Sequence, residues 1–491
     1  MMTRYAAALL LASTLAPAWR PQSADAQTAA PAAPAAAPSS EPDADRALAR
    51  DIFRQLIGIN TTLSAGNTTP AAEAMATRLR DAGFHAADVQ VVGPRPRNRN
   101  LVARLRGTGA HKPILLLAHL DVVEARRQDW SLDPFTLTER DGFFYGRGTS
   151  DIKDGAAVWV ATLIRLKKEG YRPDRDIILA LTAGEEASDD YNGVAWLLAN
   201  RRDLIDADFC INADAGDPEI KQGKRIARTV QASEKVFESY RFEVHNPGGH
   251  SSLPTPDNAI YHLADALGRL SRYTFPVDLN PVTRGYFAQT AALEGGQTGA
   301  DMRAVLAPTP DSAAVARLSA VPLYNAILRT TCVATMLDGG HAENALPQTA
   351  RAVVNCRILP TESADDIRRT LVRVVADSQV SVTPMAPPKP SPPSPLTPAV
   401  MKPIEEVTAS LWPGVPIVPV METGATDGLY LRNAGIPTYG VSGVFVDIDD
   451  IRAHGRDERI LVSSFYDALP YMHALVRALS STSVQGRPAT R

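Results

Sequence analysis

The feature that most constrains the fold is an alternation of apolar strand patterns with amphipathic helical patterns between residues 46 and 213. Helical apolar spacing covers 46–56, 71–82, 156–169 and 194–201, and strand-like apolar runs cover 100–106, 113–119, 176–183 and 209–213. Strands that alternate with helices in this way predict an α/β sheet with helices on both faces. With 491 residues and 45% hydrophobic content, the chain can bury a core of that size.

A different pattern begins near residue 230. The segment Phe237–His245, FESYRFEVH, alternates with a period of two, as in a sheet with one solvated face. Further elements of this second unit are a helix over 258–272, strands over 351–358 and 379–383, and a helix opened by Ser363. Buried α/β patterns then return at 417–421, 438–441 and 463–479. The order predicts one catalytic domain interrupted by an inserted α+β domain.

These patterns divide the chain into seven segments. They are a signal peptide (1–26), an Ala/Pro-rich linker (27–45), the first part of the catalytic domain (46–228), an inserted lid (229–385), a Pro-rich connector (386–398), the second part of the catalytic domain (399–480) and a disordered tail (481–491). The apolar run of residues 5–19 is too short for an ordinary transmembrane helix. A cut after Ala26 would yield a secreted or periplasmic protein, and a disordered Ala-rich leader is the alternative.

Charge and cysteine usage exclude some functions. The net charge of −3 provides no basic surface for nucleic acid, so we expect small-molecule or short-peptide partners. The three cysteines show no CxxC spacing, and they are either buried apolar residues or form at most one disulfide. Any metal site must therefore use histidine and carboxylate ligands.

Polar residues follow several of the predicted strands. His119 ends the first apolar run, and Asp121 lies on the same side of an extended chain. Glu185 and Glu186 follow the next run, and Asp214 follows the run after that. Sites in α/β proteins form at the carboxyl ends of the strands, so these side chains are expected to converge.

Two further residues complete this set. Asp151, in GRGTSDIKDG, precedes a helix, where an ordinary N-cap is the alternative role. His454, in AHGRDE, supplies a second imidazole, although a lone histidine in a polar turn can also be a surface residue. Imidazole and carboxylate ligands without thiolates suit Zn²⁺, with Co²⁺ and Mn²⁺ as alternatives.

The ordered motifs HLD, GRGTSDIKDG, AGEE, NADAG and AHGRDE resemble those of the M20 family of zinc-dependent peptidases and acylases over about residues 47–480. That family includes glutamate carboxypeptidases, aminoacylases, dipeptidases and succinyl-diaminopimelate desuccinylases. The resemblance implies a zinc-peptidase-like mixed sheet flanked by helices, with an inserted α+β lid of the dimerisation type. It also implies a possible homodimer through that lid.

The resemblance implies a role for each site residue. Two divalent metal ions would share Asp151, with His119 and Asp214 on one ion and Glu186 and His454 on the other. Glu185 would be the general base that takes a proton from water and returns it to the leaving amine. The Asp121 carboxylate would orient the imidazole of His119. A cis peptide is expected between Asp151 and Ile152.

Substrate contacts are implied by three more motifs. His250, in NPGGHSSLP, would stabilise the tetrahedral intermediate, and a surface role is its alternative. Asn344, in NALP, and Arg357 would contact the substrate, because the planar guanidinium binds a carboxylate bidentately. A salt bridge at a strand edge is the alternative for Arg357. Gly424 and Thr426, in GATD, would line the pocket.

The lid is longer than in short-lid members of the family, and residues 286–320 look inserted. This resembles the branch of long-lid carboxypeptidases and N-acyl-amino-acid hydrolases. We therefore expect an exported dinuclear zinc hydrolase that cleaves an amide bond next to a free carboxylate. A dipeptidase or an N-acyl-amino-acid amidohydrolase is the alternative, and a catalytically silent periplasmic binding protein on the same fold is a third.

Overall fold

The computed structural model describes residues 41–64, 66–186 and 191–481. The predicted signal peptide, most of the predicted linker and residues 482–491 of the predicted tail lie outside the described residues. The first helix begins at Glu41, so residues 41–45 of the predicted linker are helical.

Helices and strands are numbered in chain order within the described residues. The helices are α1 (Glu41–Gly58), α2 (Thr69–Asp81), α3 (Lys153–Lys168), α4 (Gly193–Asn200), α5 (Arg202–Ile205), α6 (Ala259–Arg272), α7 (Pro281–Glu294), α8 (Gly296–Ala304), α9 (Ser312–Ser319), α10 (Pro322–Leu328), α11 (Ala364–Val375), α12 (Pro398–Leu411), α13 (Gly428–Asn433) and α14 (Val462–Ser480). The strands are β1 (Val89–Arg95), β2 (Asn98–Leu105), β3 (His111–His119), β4 (Thr138–Arg140), β5 (Phe143–Tyr145), β6 (Arg175–Thr182), β7 (Phe209–Asn212), β8 (Glu219–Lys221), β9 (Lys224–Glu234), β10 (Val236–His245), β11 (Gly249–His250), β12 (Thr331–Gly339), β13 (Ala345–Leu346), β14 (Thr349–Ile358), β15 (Val380–Pro384), β16 (Ile417–Glu422), β17 (Thr438–Gly440), β18 (Val446–Asp447) and β19 (Arg459–Leu461).

A large mixed sheet forms the centre of the molecule. Its strand order is β1-β2-β6-β3-β7-β17-β9-β8-β18, and β16 also pairs with β9. The central strands β6, β3, β7 and β17 run parallel, so their carboxyl ends lie at one edge. Helices cover both faces, because one apolar cluster includes residues of α1, α3 and α14 and another includes residues of α4 and α13. The predicted α/β architecture is confirmed.

The lid is an antiparallel sheet of order β12-β14-β10-β15. Along β10, buried residues alternate with more exposed ones, as the period of two predicts. The helix α6 buries Ala259, Leu263, Ala266 and Leu270, whose spacing of three or four residues places them on one face. That face packs in the lid core, which also includes residues of α11. A disulfide between Cys332 and Cys356 joins β12 to β14, and Cys210 is a buried free thiol.

A single residue separates a strand of the large sheet from a strand of the lid. Lys235 separates β9, which pairs in the large sheet, from β10, which pairs in the lid. The large sheet therefore continues beyond residue 229, where the sequence places the start of the lid.

The long insertion in the lid is helical and has a core of its own. Helices α7–α10 share one apolar cluster that includes Phe287, Met302 and Leu318. Helix α7 packs on strand β16 rather than on the lid sheet, and a Cβ at Gly285 would come within 2.7 Å of Pro419. The insertion thus covers β16, one side of which would otherwise face solvent. Within the described residues, none of the helices combines the length and the apolar character that crossing a bilayer requires.

Candidate metal centre

His119 lies at the carboxyl end of β3, next to the ends of β6 and β7. Its Nδ1 donates a hydrogen bond to the main-chain oxygen of Asp121 at 2.9 Å, which turns Nε2 toward the site. Nε2 lies 3.2 Å from Asp151 Oδ1 and 3.4 Å from Asp214 Oδ1, and it is buried without a hydrogen bond. A buried imidazole nitrogen that faces two carboxylates, on a ring held through its other nitrogen, is typical of a metal ligand.

Asp151 lies between the two imidazoles. Its Oδ1 faces His119, and its Oδ2 is 2.9 Å from Nε2 of His454. The same nitrogen of His454 is 2.9 Å from Glu186 Oε1. The peptide between Asp151 and Ile152 is cis, as the resemblance implies. One carboxylate therefore faces two clusters of donor atoms, one on each oxygen.

The predicted role of the Asp121 carboxylate needs correction. The contact that orients His119 comes from the Asp121 carbonyl, and the carboxylate instead accepts three amide hydrogen bonds from the loop after β6. These come from Gly184 at 2.8 Å, Glu185 at 3.3 Å and Glu186 at 2.9 Å. Asp121 is buried, so its carboxylate satisfies amides that solvent does not reach. It therefore positions Glu185 and Glu186 through their main chain.

The site carries an excess of negative charge. Within the described residues, the carboxylates of Asp151, Glu185, Glu186 and Asp214 form no ion pair with lysine or arginine. Burial raises the pKa of Asp214 to about 7, and burial together with Asp214 raises the pKa of Glu185 well above its usual value. Hydrogen bonds to Asp151 and Glu186 raise the pKa of His454 to about 10. Burial is thus the main cause of the raised pKa values of the two acids, and the neighbouring carboxylates are the cause for His454.

The donor set fits divalent metal ions. Donor atoms of His119, Glu185 and Asp214 lie within 4.8 Å of one another, and so do those of His119, Asp151 and Glu186. Nitrogen and oxygen donors of this kind bind Zn²⁺, Co²⁺ and Mn²⁺. A metal ion would bind Nε2 of His119 in place of a proton and balance the charge of the carboxylates.

The GATD turn is fixed by hydrogen bonds inside the catalytic domain. The amide and hydroxyl of Thr426 donate to the buried Glu234 carboxylate at 3.1 and 3.0 Å, so this side chain is held inside the domain. Glu234 is in turn paired with the buried Arg432 at 3.0 Å. These contacts fix Thr426 in place, and the predicted contacts of Thr426 and of the exposed Gly424 with a substrate stay predictions.

The sequence interpretation missed Asp427, the last residue of the same turn. Its carboxylate accepts hydrogen bonds from the Thr182 hydroxyl at 3.1 Å and from the Asn192 amide group at 2.5 Å. Thr182 ends β6, just before the loop that carries Glu185. Burial raises the pKa of Asp427 to about 6. In the sequence, the one signal for a role of Asp427 is its place within the GATD motif.

Of the predicted lid residues, His250 and Asn344 lie next to each other. His250 pairs with Ala345 across β11 and β13, next to Asn344, whose carbonyl accepts the Ser251 amide at 3.0 Å. Nδ1 of His250 accepts from the Ser252 amide at 3.2 Å, which leaves Nε2 as the protonated nitrogen. Within the described residues, no hydrogen bond or ion pair joins His250, Asn344 or Arg357 to the metal ligands.

Arg357 lies on β14 with its guanidinium 4.7 Å from the ring centroid of Phe237. Burial lowers its pKa. In the part of the chain that the structure describes, Arg357 forms no ion pair, in contrast to the salt bridge considered as its alternative role. Its donors remain available to an anion.

The parallel strand ends, the shared aspartate and the lid define a hydrolase of peptide or amide bonds. More narrowly, the chain belongs to peptidase family M20/M25/M40, whose model matches residues 115–478. The resemblance drawn from the sequence motifs is confirmed.

Individual relatives are consistent with this assignment. The chain is 28% identical over 375 residues to the human N-fatty-acyl-amino acid synthase/hydrolase PM20D1, covering 74% of each protein. It is 27% identical over 395 residues to a probable carboxypeptidase S-like protein of Dictyostelium discoideum, covering 77% of this chain and 74% of the relative. The fold is similar to that of an M20 metallo-carboxypeptidase from Sulfolobus solfataricus, with a TM-score of 0.64 and 15% identity over 88% of this chain and 99% of that one.

Proposed function

We propose that the protein is a dinuclear zinc hydrolase that cleaves an amide bond next to a free carboxylate, in N-acyl amino acids or short peptides. The observation that carries the proposal is the position of Asp151, whose two oxygens face His119 and His454 separately. A shared carboxylate of this kind suits two metal ions. His119 and Asp214 would hold one ion, Glu186 and His454 the other, and Asp151 both. Co²⁺ and Mn²⁺ are the alternatives to Zn²⁺.

Bound metal ions would polarise the scissile carbonyl and lower the pKa of the attacking water. The protein residues supply the remaining functions. Glu185 would take the proton of the water and deliver it to the leaving nitrogen. Its main chain is held by the Asp121 carboxylate, so the base has a fixed place beside the ligands.

Two lid residues would act on the substrate. The protonated Nε2 of His250 could donate a hydrogen bond to the oxyanion that develops on the scissile carbonyl. Arg357 could bind the free carboxylate, because its fork of donors has no carboxylate partner among the described residues. Two relatives support this choice of substrate, since an N-acyl amino acid and a carboxypeptidase substrate both carry a free carboxylate.

We also propose a homodimer through the lid. Strand β12 lies at the edge of the lid sheet, and Val333, Met336 and Leu337 are 60%, 67% and 71% exposed. The adjacent helix α6 exposes Tyr261. An apolar edge strand beside an apolar helix face is favourable for pairing with an identical edge. Such pairing could bring a partner's lid residues toward the site.

Export is the remaining part of the proposal. The apolar run before Ala26 and the small residues around it are typical of a signal peptide. The disulfide between Cys332 and Cys356 supports an oxidising compartment, where such bonds persist.

The proposed function is tested by hydrolysis of matched substrates with added Zn²⁺ or Co²⁺. We expect N-acyl amino acids and short peptides to be cleaved, and their C-terminal amides to be cleaved much more slowly. Arg357→Met should remove this preference. Arg351→Met is the matched control, because Arg351 lies on the same strand but pairs with Asp338. Equal cleavage of acids and amides would overturn the carboxylate requirement, and a protein that binds no divalent metal would overturn the metal centre.

A further inference from the structure

The loop that carries His250 lies at the surface of the lid. We call residues 246–257 the His250 loop, and within it residues 249–257 are all exposed. Burial of side chains therefore does little to fix the conformation of this loop. The short pairing of β11 with β13 holds the part around His250. The rest of the loop depends on hydrogen bonds at its two ends.

The two ends of the His250 loop are joined to each other. The side-chain amide of Asn246 donates to Asp257 Oδ1 at 2.8 Å. Asn246 is fixed in turn, because its main-chain amide donates to the Gln348 carbonyl at 2.9 Å and its Oδ1 accepts the Gly248 amide at 3.1 Å. The carboxylate of Asp257 thus closes the loop.

His262 connects this closure to the rest of the lid. It lies near the start of α6, and its Nε2 is 3.1 Å from the same Oδ1 of Asp257. Its Nδ1 is 2.6 Å from Oδ2 of Asp377, which lies between α11 and β15. Asp377 is itself held, because its Oδ1 accepts the Gln379 amide at 2.9 Å. The imidazole of His262 therefore bridges carboxylates from two separate segments of the lid.

The bridge requires a protonated imidazole. An ionised carboxylate only accepts hydrogen bonds, so both ring nitrogens of His262 must donate. The hydrogen bond with Asp377 raises the pKa of His262 most, and the one with Asp257 adds to the shift against the effect of burial. Arg269, further along α6, also faces Asp377 and donates to the Val375 carbonyl. Hydrogen bonds between charged groups are stronger than those between neutral groups, so the bridge is a firm anchor for the loop.

We propose that His262 is a positioning residue for the hydrolysis, because it holds the His250 loop where Nε2 of His250 can meet the developing oxyanion. This inference rests on the proposed function, in which His250 donates to that oxyanion. Among the described residues, the side chain of His262 bonds to Asp257 and Asp377, so it acts through the loop. Without the bridge, the Asp257 end of the loop would be free of α6. A small displacement of a hydrogen-bond donor at the reacting atoms costs a large factor in rate.

The test is a double-mutant cycle between His250→Ala and His262→Ala in the metal-loaded enzyme. The probes are N-acetyl-phenylalanine, N-acetyl-glutamate and the dipeptide alanyl-phenylalanine. We expect His250→Ala to lower kcat by roughly 10²–10³-fold. His262→Ala should lower kcat by at least roughly tenfold, with KM and metal content within about twofold of wild type. In the His250→Ala background, His262→Ala should change kcat by less than about twofold, because no donor is left to position.

Asp257→Ala removes the other partner of the same hydrogen bond. It should reproduce the loss of kcat seen in His262→Ala and the same lack of effect in the His250→Ala background. The side chain of Asp257 is 57% exposed, so its removal should leave the lid folded.

Hydrogen exchange provides a readout that needs no turnover. The amides of residues 248–253 should exchange at least roughly tenfold faster in His262→Ala, because the loop opens more often. The matched control is Arg269→Ala, since Arg269 holds the segment before Asp377 from the same helix but bonds to the Val375 carbonyl. This control should keep both the exchange rates and kcat within about twofold of wild type.

The outcomes separate the two proposals. If the wild type cleaves none of the three probes, or if His250→Ala keeps full kcat, the proposed role of His250 fails and this inference fails with it. If His250→Ala loses kcat but His262→Ala does not, or if the two losses multiply, His262 does not position His250 and the hydrolase stands. Equal effects in Arg269→Ala would show a general loosening of the lid and would also overturn the specific role of His262.

Discussion

Arg147 and Glu458 form a buried ion pair, with 2.5 Å between Nη1 and Oε2 and side-chain exposures of 3% and 0%. The second oxygen of Glu458 accepts the main-chain amides of Ser150 at 2.7 Å and Asp151 at 3.2 Å. The second guanidinium nitrogen of Arg147, Nη2, donates to the His454 carbonyl at 3.3 Å. The pair therefore holds together two distant segments that carry candidate ligands of the same metal ion.

Glu458→Gln should strongly destabilise the protein, because it leaves the charge of Arg147 buried without its counter-ion. We expect the free energy of unfolding to fall by ~3–5 kcal/mol, measured by chemical denaturation. The control is Glu139→Gln, because Glu139 pairs with Arg50, which is 51% exposed. Loss of this surface ion pair should lower the free energy of unfolding by less than about 1 kcal/mol. A similar small effect in both variants would show that the buried pair contributes no more than a surface pair.

Glu185→Gln should separate catalysis from metal binding. The amide cannot accept the proton of water, so we expect kcat to fall by roughly 10²–10⁴-fold. The metal content should stay at the wild-type level, because Glu185 is not among the proposed ligands. Glu186→Gln is the matched variant and should lose metal, since its carboxylate faces His454. Metal analysis together with kinetics checks both, and normal turnover in Glu185→Gln would reject the base assignment.

Removal of metal should lower stability as well as activity. A chelator would leave the acids around His119 without a cation, so the melting temperature should fall and then recover when Zn²⁺ is added back. At a free metal concentration one hundred times the Kd, the stabilisation should be ~2.7 kcal/mol. Scanning calorimetry provides this measurement without a substrate. An unchanged melting temperature would contradict a metal centre at this place.

The strongest sequence patterns predicted the core of the fold well. The apolar run of β3 and the helical spacing of α3 lie within a few residues of the observed bounds. Both patterns are local, so they follow from the side chains of one segment. The edge strand β12 was missed, since its exposed apolar residues alternate poorly and its partner β14 lies further along the chain.

The candidate site shows a similar limit. Motif order placed His119, Asp151 and Asp214 together, because each follows a strand or precedes a helix at the same sheet edge. The ion pair of Arg147 and Glu458 could not be inferred, since it joins segments whose approach depends on the whole fold. For the same reason, the hydrogen bonds of Thr426 and of the Asp121 carboxylate could not be inferred from the sequence.

Because of Lys235, which lies between the large sheet and the lid, the free energy of unfolding should change with pH in the alkaline range. Burial lowers its pKa to about 7, with Glu362 opposing and Arg357 and Arg329 adding to the shift. Its Nζ donates to the Arg329 carbonyl at 2.6 Å. Between pH 7 and the usual lysine pKa of ~10.4, the unfolded chain binds the extra proton, so stability should rise with pH by up to ~1.4 kcal/mol per unit.

The comparison with Lys235→Met isolates this effect. The difference in the free energy of unfolding, wild type minus variant, should increase from pH 7 to pH 10 and be flat below pH 7, where both states hold the proton. Urea titrations across this range measure it. A difference that does not change with pH would mean that Lys235 keeps an ordinary pKa in the folded protein.

Leu337→Asp should disrupt the proposed homodimer. The side chain is 71% exposed on the edge strand β12, where an added carboxylate would face its own copy across the pairing axis. We expect sedimentation velocity to show a dimer for the wild type and a monomer for the variant. Ile451→Asp, 69% exposed but outside the lid, is the control and should stay dimeric.

If His250 acts on the partner's site, the monomer should also lose most of its kcat while keeping its metal, because the ligands all come from one chain. A wild type that is monomeric at all concentrations would reject the dimer, and a fully active monomeric variant would reject a role for His250 across the interface.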